Sequence, residues 1–298
     1  MSSSNPFKAQ TLNRKVEIPP ELVHEIFRYA AQISTPFCLT LCRVSSWTHE
    51  LALPHLYSTA IIKNHQQNSQ FIACLQRSPF TSIRQSDFEP ALAVRDLWVE
   101  AVSDIIVDIF KACDNLKHIA LHADNLLWLV HSSTPGQART RRLADEHISR
   151  KQDLEITVVK GNDWALSRYE NSQDQSLTST LFGKITRLRA RHVGDYAQHL
   201  NISHYTRLTH LAIPFYLPFH DLLELDRIME HPSLEALVIV IIADLILDND
   251  LVRLQEWYLE KEKVQRSLKL SLVTSNSDRL QEEWEAEVRG GRSLWDRL

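Results

Sequence analysis

The apolar positions of this 298-residue chain follow two different patterns, and the change falls near residue 60. Before that point, apolar side chains recur at the three- and four-residue spacing of amphipathic helices. Beyond it, short apolar segments typical of strands alternate with amphipathic helical stretches. The pattern predicts an α/β protein in three parts: a disordered leader over 1–16, a helical module over 17–60, and a larger α/β domain over 61–298.

The helical module begins at a proline pair. Pro19 and Pro20 preset φ for a helix start and lack N–H groups that would have no intrahelical partner there. The helix that follows carries one wide apolar stripe, formed by Leu22, Val23, Ile26, Phe27 and Ala30. The Ser-Thr-Pro segment at 34–36 breaks this helix and can start the next, and Pro54 is expected to end or kink the third. Three helices are therefore predicted.

The larger domain repeats one apolar spacing, with apolar residues at the first, fourth and sixth positions of a short segment. The clear copies are Val94-x-x-Leu97-x-Val99, Leu116-x-x-Ile119-x-Leu121, Leu208-x-x-Leu211-x-Ile213 and Leu234-x-x-Leu237-x-Ile239. The central residues of the first two copies lie 22 positions apart, and those of the last two lie 26 apart. Both distances fall within the ~20–29-residue period of leucine-rich repeats. Residues at helical spacing separate the strands, and stacked units of this kind bury one another's apolar faces.

The repeat is degenerate, which leaves two interpretations open. The Asn or Cys that usually follows the strand is missing at each clear copy, and between Ile119 and Leu188 only Leu154–Val159 resembles a strand. The segments 132–151 and 161–179 are predicted to be loops. The domain is therefore either an irregular leucine-rich-like solenoid or an irregular α/β domain of another kind.

The C-terminal stretch predicts a capping helix. Leu280, Trp284 and Val288 recur at a spacing of four in an otherwise charged segment, and Gly290-Gly291 can end the helix. A solenoid needs its last apolar edge covered. Trp284 is therefore expected to lie against the last strand, near 268–273; the alternative is an exposed amphipathic helix that binds a partner.

Composition and charge exclude several classes of function. A net charge of −4 argues against a nucleic-acid partner. Six glycines are few, and neither GxGxxG nor GxxxxGK[ST] occurs, so no nucleotide cofactor is expected. The longest apolar run, at 234–247, is shorter than the ~20 residues that span a bilayer, and the polar N-terminus lacks a signal-peptide core. The expected location is the cytoplasm or the nucleus, with no membrane association.

The sequence contains no recognisable catalytic or metal-binding motif. The fourteen histidines include no HExxH pair and no finger-type quartet with cysteine, and no GxSxG elbow occurs. Cys38, Cys42, Cys74 and Cys113 all lie in apolar stretches, which predicts buried thiols in a reducing compartment. We therefore expect a protein without catalytic activity, metal or cofactor.

One basic cluster offers a candidate substrate-docking patch. It consists of Arg139, Arg141 and Arg142, followed by Arg150 and Lys151, and is diluted by two acidic residues. Arginine forks suit phosphate, so the cluster would fit an acidic or phosphorylated segment of a substrate protein. The alternative is a solvated loop.

Two segments of the helical module resemble an F-box, in particular the F-box-like proteins of mushroom-forming fungi. The first is Ile18-Pro-Pro-Glu-Leu-Val-His-Glu-Ile-Phe27. The second is Leu41-Cys-Arg-Val-Ser-Ser-Trp47, followed by Glu50-Leu-Ala-Leu-Pro-His-Leu-Tyr57 and a strand-like stretch. The C-terminal Trp284-Glu-x-Glu287 and Gly290-Gly-Arg-Ser-Leu-Trp-Asp296 also resemble the tails of that group. One departure is Ser46, where the family often has Lys or Arg.

The resemblance implies a partner and a function. F-boxes bind the Skp-family adaptor of a cullin-RING ubiquitin ligase through an apolar face. Carried over position by position, the docking residues would be Pro19, Pro20, Leu22, Ile26, Phe27, Leu41, Val44 and Trp47. The chain would then be the substrate-recognition adaptor of an SCF-type ligase, with an unknown protein substrate on the larger domain. The alternative is a non-ligase interaction protein whose F-box-like module is structural or binds another partner.

Overall fold

A computed structural model describes residues 18–76, 88–133, 152–160, 180–190, 202–215, 221–243, 246–264 and 267–297. Three helices come first: α1 (Pro20–Ile33), α2 (Thr35–Leu41) and α3 (Ser46–Ser58). We call them the N-terminal module. The first two helices of the module start where the sequence predicts. Helix α1 begins at the second proline of the pair, and the Ser34 side chain caps α2 by accepting a hydrogen bond from the Phe37 N–H.

The module has a small core of its own. Ala31, Cys38, Leu41 and Ala52 are buried together, with Phe27 among the partly buried side chains packed around them. Of the two expectations for Pro54, that it ends or kinks the third helix, the first is wrong, because α3 continues to Ser58. Its N-terminus is fixed by a capping box, in which Ser45 and Thr48 satisfy each other's backbone N–H groups.

The described residues beyond α3 contain one parallel sheet of eight strands. The strands are β1 (Thr59–Ile62), β2 (Asp96–Val99), β3 (His118–His122), β4 (Leu154–Lys160), β5 (Ile185–Ala190), β6 (His210–Phe215), β7 (Ala236–Ile242) and β8 (Lys269–Ser275). Their order in the sheet is their order in the chain, and every neighbouring pair is parallel. The protein is therefore α/β, as the sequence predicted.

Helices in the connections cover one side of the sheet. Those described are α4 (His65–Leu75), α5 (Pro90–Ala93), α6 (Ile105–Ala112), α7 (Ala123–Ser132), α8 (Leu222–Met229) and α9 (Asp248–Val264). Their apolar residues and one face of the strands form the main core, and we call that side of the sheet the inner face. The helices therefore cover one face of the sheet, as parallel sheets require.

The repeated apolar spacing sets the strand register. The central apolar residues of successive strands are register partners across the sheet: Leu97, Ile119, Ile156, Leu188, Leu211, Leu237 and Leu270. The sequence predicted most of these strands but missed β5. In β5 the spacing reads Ile185-x-x-Leu188-x-Ala190, and two arginines interrupt it. Alanine at the third apolar position weakened the signal.

The opposite side, the outer face, is covered by the end of the chain. We call residues 277–297 the C-terminal strap; it contains α10 (Leu280–Val288) flanked by the 3₁₀ turns Ser277–Arg279 and Leu294–Arg297. Between α10 and the second turn, Gly290 has φ of +88°, which favours glycine. A Cβ on Gly291 would lie 2.6 Å from the Ala286 carbonyl oxygen, so both glycines are needed where the strap reverses direction.

The strap corrects the expected position of Trp284. The side chain is buried, as predicted, but it does not pack against the last strand. Its ring lies 5.4 Å from that of Trp98 on β2, in a cluster with Ala120 of β3 and Val159 of β4. The sequence argument assumed that the exposed end of the sheet needed cover. In the structure the strap instead covers apolar side chains on the outer face of the sheet.

Candidate protein-docking surfaces

The N-terminal module carries exposed apolar side chains that its own fold does not use. Leu22 and Ile26 of α1 are 55% and 56% exposed, Val44 is 66% exposed, and Trp47 is 47% exposed. None of the four belongs to the buried core of the module. Half-exposed large apolar residues concentrated on one small module are typical of a binding surface.

These side chains lie in two patches. Leu22, Ile26 and Tyr29 form a stripe along α1, because residues three and four apart share a helix face. Trp47 instead contacts the other side of α1: its ring lies 6.1 Å from Phe27 and 6.2 Å from His24. At ~100° per residue, Phe27 is rotated by ~100° from Ile26. A partner that contacts both patches must therefore wrap around α1.

The remaining predicted docking residues differ in exposure. Pro19 and Pro20 are exposed at the start of α1, and Phe27 is half-buried. Leu41 is 4% exposed and belongs to the module core, so it is not part of the exposed apolar surface. The predicted substrate-docking residues, Arg139, Arg141 and Arg142, lie outside the described residues.

The outer face of the sheet carries a polar row that the sequence analysis did not find. Thr59, Asp96, His118, Glu155, Arg187 and His210 are register neighbours at the start of successive strands. His118 Nδ1 lies 2.6 Å from Asp96 Oδ1, and Arg187 lies 3.5 Å from Glu155. No spacing along the chain reveals such a row, because its members are brought together only by strand pairing.

Charge alternates along the first part of this row, and the neighbouring charges shift the pKa of His118. Burial lowers the pKa of His118, but the hydrogen bond to Asp96 and the negative charges of Glu155 and Asp96 outweigh burial. The pKa of His118 therefore lies above its ordinary value. Glu155 also accepts a hydrogen bond from the Trp295 indole N–H at 2.9 Å, so the row holds the end of the strap.

A polar groove follows the amino-terminal edge of the strands beside this row. It has a volume of about 570 Å³, and an adjoining depression of about 520 Å³ shares part of its lining. Arg187 and Arg207 supply positive charge, and Asp153 and Glu235 supply negative charge. Arg207 is already paired with Asp153 at 2.8 Å. The mixed charge indicates no single class of ligand.

The described residues contain no group of three or more side chains arranged to hold a metal ion. The Cys38 thiol is buried and donates a hydrogen bond to the Ala31 carbonyl at 3.0 Å, and burial raises its pKa. A protonated, buried thiol is a poor nucleophile. Cys113 is also buried, whereas Cys42 and Cys74 are partly exposed.

Comparisons with family models, with curated proteins and with solved structures found no match. Within the part of the chain that the structure describes, no helix is long and apolar enough to cross a membrane.

Proposed function

We propose that the chain is the substrate-recognition adaptor of an SCF-type ubiquitin ligase, with the N-terminal module acting as its F-box. The observation that carries the proposal is the exposure of Leu22, Ile26, Val44 and Trp47, none of which belongs to the module's buried core. Burying these side chains against a Skp-family adaptor would remove apolar surface from water. The chain would catalyse nothing itself.

The larger domain, in this proposal, is an irregular leucine-rich-like solenoid that holds the substrate protein. Two features support that assignment. The strands follow one another in the sheet without a reversal, and the apolar spacing of 94–99 recurs in register in later strands. A sheet built in this way presents a broad surface, as repeat domains that bind proteins do.

The junction between the two parts suits a receptor that must position its substrate. Helix α3 ends at Ser58 and β1 begins at Thr59, so no linker separates the module from the sheet. Arg289 of the strap also donates to the Thr35 hydroxyl of α2 at 2.6 Å. A short junction of this kind would keep substrate lysines near the ligase core, which raises their effective concentration there.

The proposal can be tested by placing negative charges in the apolar stripe of α1. Leu22→Asp with Ile26→Asp should weaken binding to a purified Skp-family adaptor by roughly 100-fold, because each unpaired carboxylate is desolvated in an apolar interface. Isothermal titration of the purified chain measures the change. The matched control, Leu223→Asp with Val252→Asp, alters side chains that are similarly exposed on α8 and α9 and should bind like the parent chain.

The mutant should stay folded, since both positions are solvent-exposed. If the parent chain binds no Skp-family adaptor, or if the folded double mutant binds it undiminished, the ligase assignment is wrong. Recovery of another protein with the parent chain but not with the double mutant would then favour the alternative of a non-ligase interaction module.

A further inference from the structure

The C-terminal strap lies in a site that the outer face builds from a buried cation and an aromatic ring. Arg189 of β5 is almost fully buried beneath the strap, with its side chain 4% exposed. It lies 2.6 Å from a carboxylate oxygen of Glu283 and 3.5 Å from one of Glu287. Between these two acidic residues, Trp284 packs on Trp98. The strap thus presents a carboxylate–indole–carboxylate pattern to the outer face from one side of its helix.

Small side chains lie beneath both parts of the strap. Ala120 of β3 is the register neighbour of Trp98, and Ala212 of β6 is the register neighbour of Arg189; both alanines are fully buried. Ala120 packs in the cluster with Trp284 of α10, whereas Ala212 packs with Leu294 and Trp295 of the second turn. The outer face therefore lets the strap approach the strands closely at two places.

Helix α10 depends on this surface for its structure. It has nine residues and no side-chain N-cap, and isolated helices shorter than ~12–15 residues are marginal in water. The strap follows β8, which ends at Ser275, and contributes no strand to the sheet; its Arg289 also contacts Thr35 of α2. Its departure from the outer face would therefore remove no strand.

We propose that the outer face is a recognition surface for an acidic, tryptophan-containing helix of a partner protein, and that the C-terminal strap occupies this surface as an intramolecular competitor. A partner helix would carry Glu-Trp-x-x-Glu, the pattern of 283, 284 and 287, and would displace the strap from Arg189 and Trp98. The tether gives the strap a high effective concentration, so displacement requires a partner with additional contacts. The proposal does not depend on which protein binds the N-terminal module.

The experiment uses the full chain with a protease recognition sequence inserted after Asn276. After cleavage, a fluorescent peptide of residues 277–297 is added and its anisotropy is followed. We expect the labelled peptide to exchange with the cut strap and to be competed by unlabelled peptide. A second probe, an unrelated helical sequence that contains Glu-Trp-x-x-Glu, should compete as well.

Two matched peptide variants test whether Arg189 selects the carboxylate of Glu283. Glu283→Gln should weaken binding by at least about tenfold, because the buried Arg189 loses its closest carboxylate. Glu282→Gln removes the same charge from the neighbouring exposed position and should bind like the parent peptide. In a cleaved chain that carries Arg189→Met, the difference between the two variants should disappear.

Three results would overturn the proposal. The first is a cleaved chain that stays folded but never exchanges the peptide. The second is a cleaved chain that loses its cooperative thermal transition when the strap is diluted away, which would make the strap a permanent part of the fold. The third is equal binding of the Glu282→Gln and Glu283→Gln peptides.

Discussion

Tryptophan shows at the level of single residues how tertiary context decides the role of a side chain. Trp47 and Trp128 are about half-exposed, whereas Trp98 and Trp284 are both 2% exposed and pack on each other. All four lie in segments with helical or strand-like apolar spacing. The sequence predicted the burial of Trp284 from its spacing, but the partner ring lies far away along the chain and was not predicted.

His118 gives a pH dependence that can be tested. Its pKa is raised in the folded protein, so its stabilising contribution is complete below its unfolded pKa of about 6.5 and is lost as the pH rises through the folded pKa. We expect His118→Gln to lower the free energy of unfolding more at pH 5.5 than at pH 9, in urea unfolding at both values.

Asp96→Asn is the control for the His118 prediction. It removes the carboxylate whose hydrogen bond contributes most to raising the pKa of His118, so the same mutation of His118 in this background should show a much smaller pH-dependent difference. Lys117, whose charge opposes protonation of His118, stays in place in both proteins. A His118→Gln effect of equal size at both pH values would contradict the prediction.

At the scale of elements, the strap is defined by how its helix ends. The Gly290 N–H bonds to the Glu287 carbonyl at 3.0 Å, and the Gly291 N–H bonds to the Ala286 carbonyl at 2.8 Å. These bonds satisfy the last carbonyls of α10 and reverse the chain. The reversal brings Leu294 and Trp295 onto Val238 and Val240 of β7.

Substituting the turn glycines should loosen the second half of the strap. Gly290→Ala places a Cβ at positive φ, which costs about 1–2 kcal/mol. Gly291→Ala should cost more, because its Cβ would lie 2.6 Å from a backbone oxygen that cannot move without disturbing α10. Thermal unfolding and Trp295 fluorescence measure both effects. A Gly291→Ala protein as stable as the parent would show that the turn is not needed.

On the scale of the whole molecule, stability is distributed unevenly. All seven residues of β7 are buried, between an inner core shared with the helices and an outer core shared with the strap. The N-terminal module has a core of only four buried residues, three of which are small. Local opening is easiest where little apolar surface is buried.

Hydrogen exchange should therefore separate the two parts. In the isolated chain, amides of residues 20–58 should exchange well before those of 236–242, because the module's opening requires less apolar surface to be exposed. Mass spectrometry of peptides from both regions measures this in one sample. Equal protection would mean that the module opens only together with the sheet. The module would then be more stable than the size of its core suggests.

The sequence by itself determined the local features. The proline pair and the Ser-Thr-Pro segment set the first two helix starts, the apolar spacing predicted the class of fold and most strands, and Gly290-Gly291 ended the last helix where expected. These features depend on interactions within one turn or one strand. Propensity and periodicity along the chain report such interactions directly.

Only the tertiary structure decided which distant residues meet. The row from Asp96 to His210 depends on strand register, and the place of Trp284 on Trp98 depends on the path of the strap across the sheet. The exposure of Leu22 and the burial of Leu41 depend on how three helices pack, although both are leucines at apolar positions. Periodicity shows that a side chain belongs to an apolar face, but packing alone determines whether that face is covered by the chain itself.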